Sequence, residues 1–176
     1  MDYLMQLDAQ LLILIHNAFH HGPLHTFWRG ISQLGDLGWF WIFTAVLLAL
    51  NHKTRSVGLA AIAALALSTF ISNVILKNAV MRPRPFEALP GLLPLVTHAS
   101  GSSFPSGHTT AAFACAFVYW RLLPKFIGLP AMLLAVLIAF SRLYLGVHYP
   151  LDVLGGIITA YLSSTIVLKM LPRFKS

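Results

Sequence analysis

From Ser56 to Leu76 the chain runs for 21 residues without a charged side chain. As a helix rising about 1.5 Å per residue this stretch is roughly 30 Å long, enough to cross the hydrocarbon core of a bilayer. It is the clearest of six apolar segments. The others are Tyr3 to Phe19, interrupted by Gln6, Asp8 and Gln10; 24–50, broken at Gly35-Asp36-Leu37-Gly38; and 106–120, 126–144 and 150–168. The first either spans the membrane or lies at its surface. Only 10% of residues are charged and mean hydropathy is +0.76, against about 25% charged in a soluble domain. Lipid is therefore the expected solvent. The fold class expected is all-α, a polytopic membrane helical bundle of about six transmembrane helices. Residues 1–176 form one domain, with no linker or internal repeat. Stretch 81–105 is expected to be non-helical, because Pro83, Pro85, Pro90, Pro94 and Pro105 interrupt it.

The formal net charge is +7. In a soluble protein this suggests nucleic acid, but the positions point to membrane topology, and no nucleic-acid partner is expected. Lys53 and Arg55, Arg121 and Lys125, and Lys169, Arg173 and Lys175 form three clusters between or after apolar segments. If every segment from the second onward spans, all three share a face, which the positive-inside rule makes cytoplasmic, C-terminal tail included. Connections 77–105 and 142–149 then meet on the opposite face. Arg29 belongs to neither group. The start of the chain lacks the basic region of a secretory signal, so the first helix is expected to remain in the mature protein. The one cysteine, Cys115, excludes an intrachain disulfide and a cysteine metal site.

The outer connections carry the unusual polar residues: Lys77 to Arg84-Pro85, Pro105-Ser106-Gly107-His108, and Ser141-Arg142 to His148 and Asp152. Lys77, Arg84 and Arg142 are cations near the ends of apolar helices, where an unpaired charge is expensive. A compact, multiply charged anion such as phosphate suits them. Ser106, Gly107 and His108 open a helix whose N-terminus favours an anion. His148 and Asp152 share a helical face if the helix begins near His148, and a carboxylate there fixes the imidazole tautomer. His108 adds a second ring, so that one histidine attacks and the other handles the proton. Arg82 is read either as a contact to a second phosphate or headgroup, or as a solvated loop charge. Glu87 is read as a partner of a nearby arginine or a site residue. His20, His21 and His25 form a loose cluster read as interfacial rather than metal-binding, and His98 as a loop residue. Tyr144 and Tyr149 either border the phosphate pocket or join an aromatic belt.

These three motifs, in order and at these spacings, resemble the signature of the type 2 phosphatidic acid phosphatase superfamily, with no signature position departing. The motifs lie within 77–152, and the six-segment layout is similar over most of the chain. The resemblance implies an integral membrane lipid phosphatase that needs no metal or other cofactor. His148 is then the nucleophile forming a phosphohistidine, Asp152 its orienting carboxylate, and His108 the proton donor and later the base. Lys77, Arg84, Ser106, Gly107 and Arg142 bind the phosphate. The partners implied are a lipid phosphate substrate and membrane lipids; oligomeric state stays open. The expected location is a bacterial cytoplasmic (inner) membrane with the site facing the periplasm. Undecaprenyl pyrophosphate ranks first as substrate, on the habit of small bacterial members. Phosphatidylglycerophosphate, phosphatidic acid and lipid A phosphatase or phosphotransferase activities follow, and a non-enzymatic transporter comes last.

Overall fold

A computed structural model of the protein describes residues 3–19, 22–96 and 100–170. His20, His21, His98, Arg173 and Lys175 lie outside them. The described residues are helical, without strands. In order they form α1 (Tyr3–Phe19), α2 (Gly22–Gln33), α3 (Trp39–Leu50), α4 (Arg55–Phe70), α5 (Lys77–Val80), α6 (Pro85–Ala88), α7 (Gly107–Leu122), α8 (Lys125–Tyr144) and α9 (Pro150–Met170). The chain passes from α4 to α5 through a π-type stretch, Ile71–Leu76. Proline-rich segment 81–105 holds one helical turn, α6, which begins with Pro85 at a first-turn position compatible with its missing N–H.

The molecule is a helical bundle of the multi-pass membrane type. Among the described residues three stretches are long and apolar enough to cross a membrane alone: Arg55–Ala88, Lys125–Tyr144 and Pro150–Met170. A fourth is α2 with α3, bent by 41° at the turn Asp36–Gly38, where the sequence shows its Gly-Asp-Leu-Gly break. Helices α1 and α7, with 17 and 16 residues, are shorter. The physical reason for α7 is its place at the centre, packed on α4, α8 and α9. Residues Thr109 to Ala116 are all buried. Their mostly small side chains let neighbouring backbones approach, as membrane helix interfaces favour. Cys115 is among them, buried with a free thiol.

Up-and-down connectivity separates the two ends. The ends of α3, α7 and α9 gather with the starts of α4 and α8, bringing Lys53, Arg55, Arg121, Lys125 and Lys169 to one end. There Arg121 Nη1 donates to Thr165 Oγ1 at 3.0 Å. The described parts of the connections, 81–96, 100–106 and 145–149, meet at the other end and are hydrogen-bonded to their surroundings there. Leu95 N–H donates to the Leu145 carbonyl (3.2 Å) and Ser106 N–H to the Asp152 carbonyl (3.0 Å). Contacts of α1 lie at this second end. Leu12 packs with Leu143 and Tyr149, and Phe19 meets Phe140 edge-on at 5.5 Å. Arg29 of α2 ties in the proline-rich loop by donating to the Leu95 carbonyl at 2.7 Å.

Helices α3 and α4 cross so closely that a Cβ at Gly58 would stand 2.2 Å from Ala49 N and 2.5 Å from Ala45 O. Backbone cannot yield as a flexible side chain does. Gly58→Ala should therefore lower stability by about 1–3 kcal/mol, read as a fall in Tm of the detergent-purified protein. An unchanged Tm would contradict this crossing.

Candidate active site

Asp152 organises one side of the site. It lies in the first turn of α9, and its Oδ2 accepts the Tyr149 N–H at 2.9 Å, satisfying a donor that the helix start leaves free. The helix begins at Pro150, where the apolar segment 150–168 starts, so the condition that would put His148 on the helix is not met. His148 is thus in the preceding turn rather than on the helix. It still reaches the same carboxylate, with Nδ1 3.4 Å from Oδ2, a long contact off the line of a good hydrogen bond. The His148 ring is buried. Burial pushes it down to about 4, and Arg142 and Arg84 act in the same direction, while Asp152 opposes them. The ring is therefore neutral at pH 7, as a nucleophile must be.

The other oxygen of Asp152 shows where Arg82 goes. Arg82 Nη1 donates to Asp152 Oδ1 at 2.7 Å and Nη2 to Asp8 Oδ2 at 2.7 Å. Asp8 Oδ1 accepts the Leu151 N–H at 2.9 Å. The Arg82 guanidinium also lies 3.8 Å over the Tyr149 ring. Side chains of Asp8 and Asp152 are 0% exposed and that of Arg82 10%. The reading of Arg82 as a solvated loop charge is corrected, since two buried carboxylates hold it, and it is not among the residues lining the cavity around Lys77, Arg84 and Arg142. Glu87 is found as the partner of a nearby arginine, Arg84, one of its two readings. Its Oε2 accepts the Arg84 N–H at 2.9 Å and closes the start of α6.

Lys77, Arg84 and Arg142 converge on one cavity of about 650 Å3, with Gly107, His108 and His148 also in its wall. Arg84 donates to the carbonyls of Gly101 (2.9 Å), Ser100 (2.8 Å) and Val147 (3.2 Å), so three of its five N–H groups hold loops together and two remain. Arg142 is buried and donates from Nη1 to Ser32 Oγ of α2, while its Nε has no hydrogen-bond partner. None of the three cations is in a salt bridge among the described residues. Ser106 is fully buried and caps α7: its Oγ accepts from the Thr109 N–H (3.4 Å) and hydroxyl (3.0 Å). The N–H groups of Gly107 and His108 are left at the helix start. A Cβ at Gly107 would be 3.8 Å from Lys77 Nζ, which places this N-terminus beside the cations. His108 Nε2 lies 2.7 Å from Asp36 Oδ1 in the α2–α3 turn. Apolar side chains complete the lining: Leu37 of the α2–α3 turn, Ile42 of α3, and Ile62, Leu65 and Ala66 of α4.

Tyr144 and Tyr149 are both buried, so neither belongs to an interfacial belt. Tyr144 packs near Trp28 and His25, with ring centroids 5.6 and 5.8 Å away. Sequence reasoning missed Asp8, Asp36, Ser32 and Asn73, the last a cavity residue on the π-type stretch. A signal for the first two was present: the chain has five acidic residues in all, and each in an apolar helix demands a partner. Among the described residues no group of three or more His, Cys, Asp or Glu is placed to hold a metal ion.

Comparison with known proteins points the same way. The sequence pattern of the PAP2 superfamily matches residues 57–176. Undecaprenyl-diphosphatase BcrC of Bacillus subtilis is 32% identical over 159 residues, covering 88% of this chain and 79% of that protein. The crystal structure of Aquifex aeolicus LpxE superposes with a TM-score of 0.81 at 32% identity, covering 91% of this chain and 93% of that one. A transmembrane PAP2-type phosphatidylglycerolphosphate phosphatase from Bacillus subtilis superposes with a TM-score of 0.79 at 27% identity, covering 99% and 90%.

Two outcomes follow from the geometry. Arg82→Gln leaves two buried carboxylates uncompensated and should cost about 3–5 kcal/mol in denaturant unfolding. Adding Asp8→Asn should cost less than the sum of the single changes, and strict additivity would contradict the network. In a 15N-imidazole NMR titration, His148 should stay neutral at pH 6 and protonate only as pH falls toward about 4.

Proposed function

Because the chain belongs to the PAP2 superfamily, we propose that this lipid phosphate hydrolase converts undecaprenyl pyrophosphate to undecaprenyl phosphate and inorganic phosphate. The reaction runs through a phosphohistidine on His148. One observation carries the reading: a single cavity divides its lining between three cations and two histidines on the one hand and apolar side chains of α3, α4 and the turn before α3 on the other. That division suits a phosphorylated head on an apolar tail. The tail lies along Leu37, Ile42, Ile62 and Leu65, and the head meets Lys77, Arg84 and Arg142.

The chemistry follows from the positions. His148 presents Nδ1 to Asp152, so Nε2 is the atom left to attack phosphorus. As the new P–N bond forms, the bond from phosphorus to the lipid phosphate oxygen breaks, and His108 gives that oxygen a proton. Water then attacks phosphorus, His108 takes its proton, and the P–N bond breaks to release phosphate. Lys77, the two remaining N–H groups of Arg84, Arg142 and the first N–H groups of α7 stabilise the charge that grows on the phosphoryl oxygens. Ser106 contributes by capping that helix. Asp152 holds the His148 ring and stabilises its charged form.

The basic end carries Lys53, Arg55, Arg121, Lys125 and Lys169 and is assigned to the cytoplasm of a bacterial inner membrane, with the C-terminus there and the site facing the periplasm. The substrate name rests on the likeness to the undecaprenyl-diphosphatase. Phosphatidylglycerophosphate is the second reading, favoured by the fold shared with a phosphatase of that substrate.

Phosphate release by the purified parent and His148→Ala, over prenyl diphosphates, phosphatidylglycerophosphate, phosphatidic acid and lipid A, tests this. His148→Ala should lose more than about 10^3-fold in kcat. The parent should prefer the prenyl diphosphate by kcat/KM. An acid-labile phosphoryl label should accumulate in His108→Ala and be absent from His148→Ala. Equal release by parent and His148→Ala would sink the proposal.

A further inference from the structure

Asp36 is a carboxylate outside the three motifs and outside the residues matched by the family pattern, 57–176. It stands on the turn that breaks α2 from α3, and its Oδ1 lies 2.7 Å from His108 Nε2. The turn is shaped to this contact: a Cβ on the preceding residue, Gly35, would stand 2.8 Å from Cδ2 of the same ring. Every other described acid is engaged elsewhere. Asp8 serves Arg82 and the Leu151 N–H, Glu87 the Arg84 N–H, and Asp152 serves Arg82, Tyr149 N–H and His148. Asp36 is thus the described carboxylate left for His108.

The surroundings of His108 explain the need. Lys77 at the end of the α4–α5 helix, Arg84 from the loop, Arg142 of α8 and His148 before α9 all act on this ring. The ring side chain is 21% exposed, so water screens little. A proton donor among three cations must carry a proton of its own, and a counter-charge in contact is the direct means. Acceptance by the carboxylate also sets the tautomer: Nε2 bears hydrogen, and Nδ1 is left for substrate or water.

We propose that Asp36 is a positioning residue for His108, holding the ring by Nε2 and supplying the charge that lets Nδ1 carry the proton given to the leaving oxygen. This rests on the acid–base role for His108 proposed above. In the first step the Nδ1–H bond breaks and the proton goes to the leaving oxygen. In the second, Nδ1 takes a proton from the attacking water, and Asp36 again balances the charged ring. Asp36 touches neither substrate nor phosphorus and acts through His108 alone.

The test is the pH dependence of kcat for undecaprenyl pyrophosphate hydrolysis by the parent, Asp36→Asn and Asp36→Glu. Asp36→Asn should lower kcat at pH 7 about ten-fold with KM nearly unchanged. Its alkaline limb should move to lower pH by about one unit, because the protonated ring has lost its counter-charge. Activity should recover in part below that limb. Asp36→Glu should restore the limb, and in a His108→Ala background Asp36→Asn should cost nothing more. The Asp36 side chain is 55% exposed, so Tm should hold. Superimposable pH profiles, a loss equal at all pH values, or a gain in kcat each overturn the proposal. These failures differ from failure of the phosphatase reading, in which His148→Ala matches the parent.

Discussion

Arg82 lies between two carboxylates that water does not reach, Asp8 of α1 and Asp152 of α9, 2.7 Å from each. Removing three charges from water costs several kcal/mol per ion before any attraction is counted. The arrangement survives because each carboxylate also accepts a backbone N–H, from Leu151 and Tyr149. These bonds set where α9 begins, and so hold His148 in the turn just before it. The first helix, outside the matched family pattern, is thereby part of what fixes the His148 ring. Stability and chemistry share one carboxylate: Oδ1 of Asp152 belongs to the fold, and Oδ2 faces His148.

The cavity shows the opposite balance. Lys77, Arg84 and Arg142 have no carboxylate of their own among the described residues, and the start of α7 adds partial positive charge beside them. Such a cluster is tolerable where it is filled by a substrate that brings the missing negative charge. Arg84 shows how the cluster is kept in place without spending that charge, since three neutral carbonyls orient it and leave its ionic capacity for the ligand. Those carbonyls belong to the two connections that shape the site, so they order the loops around the anion position.

Much of this was legible from local patterns. The Gly35 to Gly38 break marked the bend between α2 and α3, and the proline spacing of 81–105 excluded a long helix there. Alternating segments and basic clusters assigned the motif connections to one end. Other features had no local signature. A shared helical face for His148 and Asp152 depended on a helix beginning near His148, yet Pro150 starts α9 and the contact is made from the turn before it. Helix α7 runs between the two ends in 16 residues, and its small side chains suit its central place. The reading of Arg82 went astray because its two partners are 70 and 74 residues away.

Hydropathy, turn residues and motif spacing set the helices and the end of the bundle at which the three motifs gather, since these depend on neighbours within a turn or two. Packing decided the pairings: Asp8 with Arg82, Asp36 with His108 across 72 residues, and Ser32 with Arg142 across 110. Such pairs depend on how the helices cross, and on the closeness that Gly35 and Gly58 permit. No periodicity encodes that geometry. What the sequence did contain was the scarcity of acids in an apolar chain. The low dielectric turns that scarcity into a rule: each of the four described acids is found against an arginine, a histidine or a backbone N–H.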